Sequence, residues 1–185
     1  MIVGILGSAS PTSGTRTALD AVARRCRAAG HEFDLVDLAV EYRELHDVAR
    51  HDAPPPGSQI AALRARVRAA DALVLATPVH HGTFSGLLKN ALDHLAGDEF
   101  AGRPVGLLAH GSGAKAVTGA VDSLRPVVRA LQGWSTPTGV GVAAADLLDG
   151  IAPLVETRIE EMVEQIDLFL GRTRRVPEAA VGVVS

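Results

Sequence analysis

Five short apolar runs alternate with amphipathic helical stretches along nearly the whole chain, and this alternation restricts the fold more than any other feature. Residues 2–6 (IVGIL), 32–36, 73–76, 105–109 and 139–143 read as strands. Helical spacing covers residues 15–29, closed by Gly30, and then 58–70, 85–95 and 115–131. A last helix carries Val155, Ile159, Met162, Val163, Ile166, Phe169 and Leu170 on one face. Strands separated by helices must run parallel and need cover on both faces. The pattern therefore predicts an α/β fold: a flavodoxin-like three-layer sandwich with a five-stranded parallel sheet of order 2-1-3-4-5.

Three local features qualify that outline. Pro126 lies inside the apolar periodicity of 115–131, and its missing N–H predicts a bend or local break there. Residues 39–57 include the run Pro54, Pro55 and Pro56 and read as a surface loop. Residues 1–171 form the expected single domain, and 172–185 a tail that is disordered or serves as a packing arm.

Composition narrows the function. Hydrophobic residues are 47% of the 185, enough for one core, and 21% are charged, which argues against wholesale disorder. The net charge of −3, with no basic block, disfavours a nucleic acid partner. The single cysteine, Cys26, shares an apolar helical face with Leu19, Val22 and Ala23. It reads as a small buried side chain, and one thiol excludes an internal disulfide. The opening MIVGILGS lacks a basic segment, and no run reaches the ~20 apolar residues of a membrane span. The expectation is a soluble cytoplasmic protein without a membrane partner.

In such a sheet, ligands bind beyond the carboxyl ends of the strands, where the strand order reverses. The segments after strands one, three and four are GSASPTSGT (7–15), TPVHHGTFSG (77–86) and HGSG (110–113), all rich in Gly, Ser or Thr. The first runs into a helix, whose N-terminal amides favour an anion. Ser8, Ser13 and Thr15 add hydroxyls beside Gly14. An ordinary helix cap accounts for one of these hydroxyls, not for the whole loop. Neither a Walker A motif nor G-x-G-x-x-G is present, so a monophosphate fits best. Pro78, Val79, His80, His81, Gly82 and Thr83 offer backbone and small groups to the edge of a flat ring. The two histidines read as neighbours in an extended loop pointing apart, with no carboxylate or cysteine nearby, so no metal is expected. His110, Gly111, Ser112 and Gly113 let a planar ligand approach bare backbone.

GSASPTSGT, followed by TPVHHGTFSGLLKNALDHL and LLAHGSGAKAVTGAVDSLRPVVRALQG, resembles the NADPH-dependent FMN reductase family, especially its alkanesulfonate-associated FMN reductases. The resemblance spans residues 2–142 and is most specific in TPVHHG…SGLLKNALD. It implies bound FMN, hydride transfer from a nicotinamide (NADPH, with NADH left open), and a homodimer or homotetramer. By position, Ser8, Ser13 and Thr15 would hold the FMN phosphate. Pro78 to Gly82 would contact the isoalloxazine, and Gly111, Ser112 and Gly113 would border its other edge. Lys89, Asn90 and Asp93 lie on the helix these relatives use to pair subunits; a solvated face is the plainer reading. Ser10 stands where the family often has Arg, and His80 where many members have Tyr or Phe. The extra aromatic residue that some two-component members carry is absent at Asp122–Ser123, which favours retained flavin.

No side chain is required as acid or base, because the flavin carries the chemistry and the protein places it. Amides near Gly82 and in HGSG would stabilise negative charge on reduced flavin, and His80 would shape acceptor choice. Hydride would pass from the nicotinamide to FMN N5, then to free flavin, a quinone or another small acceptor; a partner monooxygenase is one destination. For a nicotinamide 2′-phosphate, Arg16, Arg103 and Arg125 are candidates, with a solvated surface residue the plainer reading of each. The rivals are a flavodoxin-like electron carrier, a pathway-specific tailoring reductase, a receiver domain and a serine hydrolase using Ser8. The receiver lacks its acidic strand ends, and no histidine follows His110 to serve a hydrolase.

Overall fold

The structure, a computed structural model, describes residues 1–51 and 53–174. Strands β1 (Ile2–Leu6), β2 (Phe33–Asp37), β3 (Ala72–Pro78), β4 (Pro104–Gly111) and β5 (Trp134–Ala143) form one sheet of order β2-β1-β3-β4-β5. Every pairing is parallel, with Ile2 opposite Phe33 on one side and Ala72 on the other. Helices α1 (Gly14–Ala28), α2 (Leu38–Glu41), α3 (Gln59–Ala69), α4 (Gly86–Asp93), α5 (Ala114–Ala130) and α6 (Pro153–Arg174) connect and follow the strands.

Alternation along the strands sorts the core into two layers. Ile2, Leu6, Ala72, Val74, Ala76, Val140 and Val142 join the inner faces of α1 and α6. Val3, Ile5, Leu73, Leu75, Val105 and Leu107 join those of α3, α4 and α5. Cys26 is fully buried in the α1–α6 layer, and burial pushes its thiol up to about 12. No helix among the described residues is long and apolar enough to cross a membrane.

The structure departs from the sequence reading in three places and adds detail in a fourth. Helix α5 runs unbroken from Ala114 to Ala130 with Pro126 inside it. Strand β5 begins at Trp134, not at residue 139. Pro137 falls where this edge strand's register with β4 shifts, between the partners Ser135 and Gly139, a position that tolerates proline. The 39–57 segment is largely exposed loop, as expected, with an anchor at residues 42–46. Asn90 on α4 accepts from the His46 amide (2.9 Å) and donates to the Glu44 carbonyl (2.8 Å), while Tyr42 is buried. Of the expected tail, residues 172–174 complete α6, and 175–185 lie outside the described residues.

Candidate functional site

The carboxyl ends of β1, β3 and β4 bring the three small-residue segments into direct contact. After β1, the Gly7 amide donates to the Ala76 carbonyl (2.8 Å), extending the pairing with β3 by one residue. Ser8 is buried, and its Oγ accepts from the Ser10 amide (3.3 Å). Ser13 is the N-cap of α1, with Oγ accepting from the Arg16 amide (3.2 Å). That bond leaves the first-turn amides of Gly14 and Thr15 without an acceptor among the described residues. Thr15 is fully buried, and its Oγ1 has no partner either. No acidic residue lies in this first turn. Two free amides and an orphaned buried hydroxyl at a helix N-terminus suit a phosphate group.

The second segment is a tight hairpin, which corrects the extended-loop reading of the paired histidines. His80 and Thr83 exchange backbone bonds of 2.9 and 3.1 Å. His81 (φ 51°) and Gly82 (φ 83°) both lie in the left-handed region, the mark of a type I′ turn. His80, His81, Gly82 and Thr83 are all exposed. The hairpin leans on α5: Thr83 Oγ1 donates to Ser123 Oγ (2.8 Å), which donates to the Ala120 carbonyl (2.7 Å). Pro78 closes β3 opposite His110, and the Val79 amide donates to the His110 carbonyl (2.8 Å).

In the third segment, His110 and Gly111 are the last residues of β4 rather than part of a loop. Ser112 is exposed, and Gly113 is the N-cap of α5 without a side-chain cap. A Cβ on Gly111 would lie 2.8 Å from Val79 Cγ2, so the second and third segments touch backbone to side chain. The His110 ring packs on Gly14, joining the third segment to the first. Burial lowers the His110 pKa and favours the neutral imidazole.

Sequence reasoning missed Ser85, which ties the first two segments together. Its Oγ donates to the Gly7 carbonyl (2.6 Å) and accepts from the Leu88 amide (3.1 Å), capping α4. Its amide donates to Thr77 Oγ1 (2.9 Å). A serine directly before the apolar periodicity of α4 was the available clue to the cap, though not to the bond with Gly7. The three candidate arginines are engaged rather than solvated. Arg16 pairs with Asp37 at the end of β2. Arg103 donates to the carbonyls of Val67 (2.6 Å), Glu99 (3.0 Å) and Arg68 (3.0 Å). Arg125 donates to those of Thr136 and Pro137, both at 2.9 Å. Among the three helix residues tied to subunit pairing, Lys89 and Asp93 pair with each other, and Asn90 braces the 44–46 backbone.

Comparison with known proteins gives a consistent picture. The family model for NADPH-dependent FMN reductase matches residues 1–146. An FMN-dependent NADPH-azoreductase from Staphylococcus saprophyticus is 36% identical over 182 residues, covering 90% of this chain and 93% of that one. One from Staphylococcus aureus is 34% identical over 146 residues, 77% of this chain and 76% of the other. An oxidoreductase from Corynebacterium diphtheriae superposes with a TM-score of 0.77 at 22% identity, over 92% of this chain and 96% of that one. The apo form of an NADH:FMN oxidoreductase superposes at 0.73 and 22% identity, over 92% and 88%. At that identity the two structures speak for the fold.

Proposed function

Because this chain belongs to the NADPH-dependent FMN reductase family, we propose that the three joined segments hold its FMN and that its acceptor is an azo compound. The chain is an FMN- and NADPH-dependent oxidoreductase. When bound, FMN supplies an N5 that takes hydride from C4 of the nicotinamide and returns the electrons to the acceptor. The chain supplies placement. The amides of Gly14 and Thr15, with the Ser8, Ser13 and Thr15 hydroxyls, hold the phosphate. Pro78, Val79 and the His80–Thr83 hairpin line the ring edge, with Gly111, Ser112 and Gly113 opposite. Amides near Gly82 and Ser112 offer fixed donors where negative charge accumulates.

The orphaned Thr15 hydroxyl beside two acceptor-less amides carries this reading, since a buried polar group without a partner calls for a ligand. The azo acceptor rests on the Staphylococcus saprophyticus relative, named for azoreduction and matched over nearly its whole length. The exposed hairpin supports it, because His80 and His81 leave an open approach for a flat, extended acceptor. A quinone presents the same flat conjugated shape. Delivery of reduced flavin to a partner monooxygenase is the second reading. Against it, α5 passes Asp122 and Ser123 as regular helix, and Ser123 is committed to the hairpin. A homodimer or homotetramer in the cytoplasm fits the family.

Anaerobic absorbance spectroscopy tests this. FMN should bind, NADPH should bleach its visible band, and an azobenzene carboxylate should restore the band while losing its own colour. Restoration by free flavin or a quinone but not by the azo dye would overturn the acceptor assignment.

A further inference from the structure

We propose that His110 is a proton-linked positioning residue for the FMN phosphate, so that FMN is held more tightly when this imidazole carries its second proton. The inference rests on the phosphate reading of the Ser13–Thr15 turn. An ideal Cβ on Gly14 would lie 2.4 Å from His110 Nε2, 2.6 Å from Cε1 and 2.7 Å from Cδ2. The Nε2 edge of the ring therefore lies against the first residue of α1, where the amide has no acceptor, one residue before the orphaned Thr15 hydroxyl. Among the described residues, the His110 side chain makes no hydrogen bond of its own.

Among the described residues, the groups packed on the His110 ring carry no compensating charge. From α1 it meets Gly14, and Arg16 on the same turn is paired with Asp37. Its register partners are Pro78 on β3 and Val142 on β5, neither of which titrates. Burial lowers its pKa, with no charged neighbour to oppose it. A phosphate at the α1 N-terminus supplies the missing counter-charge, so binding favours proton uptake at His110. By linkage, affinity then rises as pH falls. The ring thus supplies a donor beside a loop, residues 7–15, that carries no basic residue of its own.

The test is FMN dissociation constants, read from quenching of flavin fluorescence between about pH 6 and about pH 8. Wild type and His110→Gln are compared, with riboflavin, which lacks the phosphate, as parallel ligand. Wild type should lose about tenfold more FMN affinity than His110→Gln as pH rises across this range. The comparison cancels the titration of the phosphate itself, whose second pKa is about 6. Riboflavin should show no such difference. Equal pH slopes in the two proteins, or the same excess slope for riboflavin, overturns the inference while leaving FMN binding intact. Absence of FMN binding at every pH overturns the phosphate reading with it. If His110→Gln does not fold, wild-type NMR decides: FMN must raise the titration midpoint of the His110 C2 proton, and riboflavin must leave it in place.

Discussion

The imidazole of His110 occupies the space that a side chain on Gly14 would need, with Nε2 2.4 Å from the ideal Cβ position. These residues lie on different elements, the first turn of α1 and the last residues of β4. Glycine is required there by the approach of the ring, not by backbone angles. Gly14→Ala should therefore destabilise the protein by about 1–3 kcal/mol, the usual cost of overpacking. His110→Ala should relieve most of that cost in the double variant. Urea unfolding of the four proteins checks this, with a coupling of at least about 1 kcal/mol expected. Additive effects would mean that the two side chains do not compete for the space.

Much of the fold was legible because its periods are strong. Residues 2–6 sit between two strands and are apolar throughout, as a central parallel strand requires. The edge strand β5 was harder: Pro137 and the hydroxyl residues Ser135, Thr136 and Thr138 around it hide a strand that has one free edge. The candidate site was legible as composition at three strand ends. Its connections were not, because Ser85 to Gly7 and His110 to Gly14 join residues far apart in sequence. The hairpin was obscured for another reason. A type I′ turn usually announces itself with Asn-Gly or Asp-Gly, and here a histidine takes the first left-handed position. Residues 39–57 read as loop from their prolines, while Asn90, which anchors the backbone at residues 44 and 46, belongs to a distant helix.

Ser85 is the residue most exposed to a single-atom deletion. Ser85→Ala removes an N-cap, worth about 1 kcal/mol. It also strips the Gly7 carbonyl of its side-chain donor, worth about 1–3 kcal/mol where that group is left unsatisfied. We expect a total loss of about 2–4 kcal/mol by urea unfolding, with weaker FMN binding because Gly7 leads into the phosphate turn. Ser85→Thr keeps the hydroxyl and should recover part of both. A loss no greater than that of a single surface cap would show that the bond to Gly7 contributes nothing.

The hairpin makes an asymmetric prediction. Gly82 at φ 83° has no neighbouring atom where a Cβ would go, so Gly82→Ala meets backbone strain alone, about 1–2 kcal/mol. His81→Gly removes a side chain from the left-handed region at φ 51° and relieves strain there. Thermal unfolding should therefore move in opposite directions for the two, with Gly82→Ala lower and His81→Gly unchanged or higher. His81→Gly should still alter the rate with the azo acceptor, because the lost imidazole stands on the open side of the proposed ring site. A fall in melting temperature for His81→Gly would show that the imidazole makes a stabilising contact that outweighs the strain.

His94 gives the fold a sensitivity to acid that is separate from cofactor binding. It is fully buried, and among the described residues neither ring nitrogen has a hydrogen-bond partner. Its ring lies 4.9 Å from that of His46 and 5.4 Å from that of Tyr42, centroid to centroid. Burial first, and the neighbouring His46 second, lower its pKa below the ordinary value of 6.5. In the unfolded chain His94 takes up a proton near that ordinary value, while in the folded chain it resists until lower pH. Its contribution to stability is therefore complete above the unfolded value, and it declines as pH falls from there toward the folded value. His94→Phe keeps an edge-on ring for Tyr42 and removes the titration. Urea midpoints across this range should fall more steeply with acid in wild type than in His94→Phe. Parallel curves would mean that another group governs acid sensitivity and that the buried imidazole finds a proton acceptor when charged.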